Sequence, residues 1–311
     1  MTKQKTSLLS VLPLAWKLAS KGFASERKSY RKKQQWKIAL NTLLNPVFAR
    51  DWFDLLESPE FNKIFQHRSR LYIKPFRPYI SIAWNKKQKI KVIRDTYRFI
   101  KTKDDFLPQL LSSKGIRVAN FKLANATDEY EAELSLGYNE RFRKEGELVL
   151  SLNCEQLGGK IISAAFSFEQ KPDDSWACLI GCIQGHSNAG DAKKIQKLMH
   201  GIRPNSFIVT AVQAVANKLA CQQILGVGDQ IQSYRQKHAI HIQKAHKIHF
   251  NYNRFWQEVG GVDIGDGWFE LPISPNRKDI QEIKSKKRSM YRKRYLLLDD
   301  ITLQISNNLP S

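Results

Sequence analysis

Apolar and polar residues change period twice along this chain. Over residues 89–102, Ile90, Ile93, Tyr97 and Ile100 recur three to four apart, the spacing of one face of an α-helix. From about residue 115 the period falls to two. Leu148, Leu150 and Leu152 alternate, as do Phe166 and Phe168, which predicts strands over 117–122, 130–136, 147–153, 160–169 and 176–184. The connections NCEQLGGK and KPDDS read as hairpin turns, so these strands form an antiparallel meander. The helical period then returns. Asp191 is placed to cap a helix over 191–199. Pro204-Asn205-Ser206 starts another over 205–220, with Phe207, Val212, Val215, Ala216 and Leu219 on one face. Residues 223–227 form a short apolar strand, and the preceding helix makes it a parallel neighbour of 176–184. A helix over 252–259 and a strand over 268–273 follow, and the chain beyond Pro275 is helical and basic.

The first third is helical by the same reading. Residues 7–45 are helical with an early break at Pro13, Asn45-Pro46 is a boundary, and Ser58-Pro59 restarts a helix within 47–66. Pro75 and Pro78 punctuate a loop. The expected organisation is a basic helical region over 1–112, an α/β core over 113–275 and a basic helical tail over 276–311.

Charge sharpens this division. Of 51 Lys and Arg and 29 Asp and Glu, residues 1–103 hold 24 and 6, and the remainder 27 and 23. Such an excess is attracted to polyanions: anionic lipid, phosphorylated ligands or nucleic acid. Zinc-finger spacing, a recognisable helix-turn-helix and RNP aromatics are missing, which favours membrane-associated anions over nucleic acid. Hydrophobic residues at 42% exclude a disordered chain. No apolar run reaches the roughly 18–20 residues of a membrane span. The N-terminus has the basic residues and apolar stretch of a signal peptide, but Pro13 divides the stretch and Lys17 and Lys21 interrupt it. It reads as an amphipathic basic segment. The expected location is therefore cytoplasmic, peripheral on the inner membrane. Cys154, Cys178, Cys182 and Cys221 lack metal spacing and read as buried thiols; Cys178 and Cys182, four apart on a strand, are expected on one face.

The order of meander, helix, strand, helix, strand resembles the GNAT acyltransferase fold. The fold class is thus α+β (α/β), with a GNAT-like mixed, mostly antiparallel sheet flanked by helices and a basic helical N-terminal region. The resemblance implies that 176–184 and 223–227 splay apart, with Ile183, Gln184, Gly226 and Val227 lining the gap for the pantetheine arm of acyl-coenzyme A or acyl-carrier protein. The pyrophosphate would meet a helix N-terminus. The chain departs from that family where a short glycine-rich phosphate turn belongs: it has GHSNAGDAKKIQKLMHGIRPNSF, which inserts a helix. As a whole the chain resembles the VirK/YbjX family of Gram-negative bacteria. HGIRP (200–204), LGVGD (225–229), RFWQEVGG (254–261) and SKKRSMYRKRY (285–295) carry that likeness. It implies a role in envelope integrity, virulence and tolerance of antimicrobial peptides, and it assigns no catalytic residue.

Candidate chemistry follows. Arg203 offers a fork for phosphate or carboxylate, with Gly201, Asn205 and Ser206 at the helix start; an ordinary helix entry with an exposed arginine explains the same residues. The GNAT resemblance implies that a tyrosine from the region after strand 223–227 acts as general acid toward the leaving thiolate, which makes Tyr234 and Tyr252 candidates; simple packing explains both as well. Glu169 and Glu258 are candidate bases, or surface carboxylates. His238, His241, His246 and His249 share an arc if helical, but lysines lie among them and no acid does, so a solvated basic face is read rather than a metal site. Three functions remain open: an acyltransferase of envelope metabolism, a non-catalytic accessory protein on anionic lipid or a protein partner, and a nucleic-acid binder.

Overall fold

The computed structural model describes residues 8–103, 105–112, 115–125, 127–186, 192–235 and 250–310. The Asp191 cap and the four histidines of 238–249 lie outside these described residues. The chain divides into two compact units, Met1–Pro78 with Asn85–Ile90, and Tyr79–Trp84 with Lys91–Ser311.

The first unit is helical: α1 (Leu8–Gly22), α2 (Lys28–Leu44), α3 (Pro46–Glu57), α4 (Asn62–His67) and a 3₁₀ segment, Ser69–Phe76. Pro13 does not break α1, which runs through it; the ring forfeits one hydrogen bond in an early turn and the helix resumes. Pro46 stands at the first position of α3, where its missing N–H costs nothing. Trp52, Phe53, Phe23 and Tyr72 are fully or almost fully buried, and the Trp52 indole donates to the Tyr72 carbonyl at 2.8 Å. The helix α5 (Lys86–Lys101) has its first residues in this unit and its remainder in the second.

The second unit is a mixed α+β fold, an eight-stranded and mostly antiparallel sheet flanked by helices. Its elements are α6 (Phe106–Leu111), β1 (Ile116–Ala124), β2 (Glu129–Gly137), β3 (Leu148–Cys154), β4 (Gly159–Gln170), β5 (Trp176–Gly185), α7 (Ala192–Leu198), α8 (Pro204–Lys218), β6 (Gln223–Val227), α9 (Tyr252–Glu258), β7 (Val262–Asp263), β8 (Trp268–Leu271) and α10 (Ser285–Asn308). The sheet order is β1-β2-β3-β4-β5-β6-β8-β7, and only β5 and β6 run parallel. The short exposed β7 is an addition that alternation does not reveal.

The compact units fall elsewhere than the boundaries read from composition. The stretch from Lys91 onward belongs to the second unit: Phe99 and Ile100 join its main apolar core, and Val92, Ile93 and Tyr97 are buried. The basic tail joins the same core: Leu298, Ile301 and Ile305 of α10 are buried, and Gln304 exchanges hydrogen bonds with the Asn120 backbone of β1. The lysines and arginines at the start of α10 conceal an apolar stripe in its second half.

The sheet has two unlike faces. Leu150, Leu152, Ala164, Phe166, Phe168, Cys178 and Ile180 share one apolar core with Phe207, Ile208 and Val212 of α8. The other face holds Phe142, Val149, Ala165 and Cys182, and beside them buried Ser151, Ser163 and Ser167. The shared face expected for Cys178 and Cys182 is therefore incorrect. The β4–β5 register passes from Ala165↔Cys182 to Phe166↔Ile180, skipping Gly181, and one extra residue turns every later side chain to the opposite face.

Candidate functional site

That bulge governs the most unusual geometry in the sheet. A side chain at Gly181 would place its Cβ 2.1 Å from the Glu145 carbonyl oxygen, so glycine is required where the two backbones approach. Parallel pairing with β6 runs only from Ala177↔Gln223 to Ile180↔Gly226 and stops at the bulge. The last five residues of β5, Gly181–Gly185, continue without β6. At Ile183 the backbone N–H donates to the Tyr252 hydroxyl at 3.1 Å, and that hydroxyl donates to the Ile183 carbonyl at 3.1 Å. One phenol thus answers both backbone groups that a neighbouring strand would have paired.

Tyr252 is held there from several directions. It opens α9, whose first turn is capped twice: Asn251 Oδ1 accepts from the Arg254 amide at 2.8 Å, and the Asp229 carboxylate accepts from the amides of Tyr252 and Asn253 at 3.2 and 3.3 Å. Asp229 ends the LGVGD segment, so the end of β6 and the start of α9 fix each other. Phe250 and Trp256 pack on the Tyr252 ring. The Trp256 indole donates to the Val227 carbonyl at 2.9 Å and lies over Gly226, where a Cβ would fall 2.5 Å from the ring. Gly226 and Val227 are therefore occupied by Trp256. Burial holds the Tyr252 phenol well above its usual pKa, with Cys182 the next contributor.

Tyr234 converges on the same place. It is partly exposed, Lys144 Nζ sits 5.3 Å from its ring centre, and burial, then Glu145, then Cys182 push its phenol up to about 12. Glu145, fully buried, also acts electrostatically on Cys182 and Tyr252, and accepts from Ser233 Oγ at 3.3 Å. Sequence reasoning passed over Glu145, Gly181, Asp229 and Trp256. The readable cap signal at α9 belongs to Asn251, directly before the helix; Asp229, more than twenty residues upstream, has no such signal.

The remaining candidates lie apart. Glu169 pairs with Ala177 in register, six residues from Ile183 along β5 and so about 20 Å away. It forms ion pairs with Lys91 and Lys171 at 3.3 and 2.9 Å. Arg203 precedes α8 without a side-chain bond to its first turn, where Asn205 and Ser206 are half-buried. Its guanidinium pairs with Glu258 at 2.8 Å, as does that of Arg254 at 3.2 Å, and Arg203 holds the Glu258 carboxyl below the usual range. Glu258 is six residues along α9 from Tyr252, about 9 Å of helix. Gly201 spends its amide on the Gln196 carbonyl at 2.8 Å, and the Arg294 guanidinium of α10 bonds the His200 carbonyl beside it. Gln184 is half-buried opposite Ser163.

All four cysteines are buried, and burial raises each thiol, Cys221 to about 12. None is an activated nucleophile. A second polar chain links Ser151 Oγ to Ser163 Oγ at 2.8 Å, Ser163 to His186 Nε2 at 3.0 Å, and His186 Nδ1 to Arg141 at 3.5 Å. It superficially matches a serine–histidine pair, but a guanidinium only donates. Nδ1 must therefore accept, Nε2 carries the proton, and the imidazole donates to Ser163 instead of taking its proton.

A model of the family described as "Protein of unknown function (DUF535)" matches residues 27–307. The chain belongs to this family, the YbjX/VirK family. It is 29% identical over 310 residues to the uncharacterized protein YbjX of Escherichia coli K12, covering 97% of this chain and 90% of that one. Two uncharacterized proteins of Haemophilus influenzae are 34% and 35% identical over 187 and 207 residues, spanning 59% and 66% of each. Among solved structures, a cAMP-binding acyltransferase from Mycobacterium smegmatis aligns over 67% of this chain and 61% of its own, at 12% identity and a TM-score of 0.30. Among the described residues no helix is long and apolar enough to cross a membrane.

Proposed function

We propose that the second unit binds an acyl thioester where β6 leaves β5 and transfers its acyl group to an amine or hydroxyl of envelope metabolism. The observation that supports this reading is the pair of Ile183 backbone groups, beyond the end of the pairing with β6 and held by a single phenol. An amide of a pantetheine arm offers the same donor and acceptor and would exchange with the Tyr252 hydroxyl. In the reaction the acceptor attacks the thioester carbonyl, the new C–N or C–O bond forms and the C–S bond breaks. Glu145 is the buried carboxylate that takes the acceptor's proton, and Tyr252 donates a hydrogen bond to the leaving thiolate. A phenol whose pKa burial has raised keeps its proton, so Tyr252 stabilises the thiolate without ionising. Arg203 would serve an anionic part of the donor only by releasing Glu258.

A thermal-shift assay with acyl-coenzyme A and with acyl-carrier protein tests this. A ligand that binds only the folded state raises the midpoint. Tyr252→Phe is expected to keep the shift and lose turnover. No shift with either donor, on folded protein, removes the reading.

The concentration of positive charge in residues 1–103 favours a second reading, that of an accessory protein on anionic lipid at the inner face of the envelope, acting with or without chemistry. It requires salt-sensitive binding to anionic vesicles that survives Arg203→Ala. Equal binding to neutral vesicles removes it.

A further inference from the structure

Helix α2 is turned inside out. Its buried residues are Gln34, Gln35, Ile38, Ala39 and Thr42. Its exposed ones include Trp36 at 68% of full accessibility, Leu40 at 58%, Leu43 at 46% and Leu44 at 70%. These four recur at three- and four-residue spacing, so they form one stripe along the outer face. Val47, at the start of α3, is exposed as well, and Trp16 of α1 meets Trp36 edge to face at 5.4 Å between ring centres. Hydrogen bonds pin this rotation. Gln35 Nε2 donates to Ser20 Oγ at 2.7 Å, and Gln34 Oε1 accepts from Arg77 at 2.5 Å. A turn of α2 that hid the leucines would pull both glutamines from their partners.

Chains of this kind seldom leave a contiguous row of large apolar side chains in water without something to cover it. The surroundings of the stripe say what covers it. Helix α2 carries Lys28, Arg31, Lys32, Lys33 and Lys37 and no acidic residue. On a helical projection Lys32 and Lys37 flank the arc that holds Trp36, Leu40, Leu43 and Leu44, and Lys33 falls within it, one turn before Trp36. An apolar stripe with tryptophan, edged by lysines, matches the boundary between acyl chains and anionic headgroups. A second copy of this chain fits less well. A two-fold contact through α2 would set the lysines of one copy against those of the other.

We infer that the outer face of α2, with Trp36, Leu40, Leu43 and Leu44 inserted and Lys32, Lys33 and Lys37 over the headgroups, is the surface by which this protein lies on an anionic bilayer. This rests on the anionic-lipid reading and names its contact. The helix lies in the plane of the interface and does not span it. Insertion adds an apolar contribution that salt does not screen, so binding retains a component that high ionic strength leaves in place.

The test is co-sedimentation of the full chain with phosphatidylglycerol-containing and pure phosphatidylcholine vesicles, at low and high salt. Wild type is expected to prefer the anionic vesicles. The triple variant W36S/L40S/L44S, altered only at exposed positions, is expected to keep its fold by circular dichroism and to lose binding about tenfold or more. The variant K32E/K33E/K37E is expected to lose the preference for phosphatidylglycerol. If wild type binds anionic vesicles and the serine variant binds equally well, the lipid reading stands and the assignment to α2 fails. Absence of wild-type binding to anionic vesicles sinks both. If wild type is a dimer that the serine variant splits, with no lipid binding by either, a second copy covers the face and the inference is overturned.

Discussion

Helices α2 and α8 have similar lengths and opposite habits. Helix α8 buries nine of its fifteen residues, and the single polar one among them, Gln213, donates to the Pro272 carbonyl at 2.7 Å. Helix α2 buries five of seventeen, and three of those are Gln34, Gln35 and Thr42. Each apolar residue on α8 meets the sheet core of its own unit. The apolar residues Trp36, Leu40, Leu43 and Leu44 of α2 meet water. Folding explains the first helix completely. The second has a pattern that the described residues of the folded chain leave uncovered, and it is this pattern that the proposed lipid contact would use.

Stability measurements can break this contrast. Phe207→Ala, in α8 against Phe121 and fully buried, is expected to cost about 3–5 kcal/mol in urea unfolding. Leu44→Ala, on the outer face of α2, is expected to change stability by less than about 0.5 kcal/mol. Comparable losses at the two positions would mean that Leu44 is covered within the folded chain, and the comparison would collapse.

A smaller effect sharpens the second unit alone. Tyr252→Phe removes the hydroxyl that answers Ile183 N–H and C=O, leaving both backbone groups buried without it. The expected cost is about 1–3 kcal/mol. Binding to anionic vesicles should be unchanged, because the substitution touches nothing on α2. An unchanged stability would show that water already reaches Ile183, and so that the gap is open and not sealed by the phenol.

The architecture of the second unit was legible because periodicity is a local signal. The five-stranded meander, the parallel return at Gln223–Val227 and the helix after Pro204 all follow from spacing and turn residues. The Gly181 bulge was not legible. Nothing in WACLIGCIQG marks one glycine as skipped, since the cause is the Glu145 carbonyl arriving from a distant part of the chain. The faces of Cys178 and Cys182 were misread for that reason. The site was half legible. Tyr252 and Tyr234 do stand beside each other's neighbours, Cys182 and Glu145, whereas Glu169 is claimed by Lys91 and Lys171 and Arg203 by Glu258. A carboxylate in a list of carboxylates does not declare its partner. In α2 the sequence held both apolar and polar residues at helical spacing, and only the hydrogen bonds of Gln34 and Gln35 reveal which set faces inward.

The smallest expected effect concerns pH and the polar face of the sheet. Burial, then Arg141, then Lys160, lowers the pKa of His186 below its usual value, and Ser163 and the Phe142 ring complete its surroundings. The folded state therefore disfavours the imidazolium. As pH falls through the ordinary histidine range toward the lowered folded value, the unfolded chain binds a proton that the folded one does not. Stability then declines. The contribution is present in full above about pH 6.5, the reference value for histidine. His200 is lowered too, by burial and by Lys293 and Arg294, so the total slope has more than one source. The difference between wild type and His186→Gln isolates the first. Unfolding midpoints at pH 7.5 and 5.5 should fall further in wild type than in the variant. Equal declines would mean that the imidazole keeps its ordinary affinity for a proton, and that Arg141 does not impose on Nδ1 the acceptor role that denies Ser163 a base.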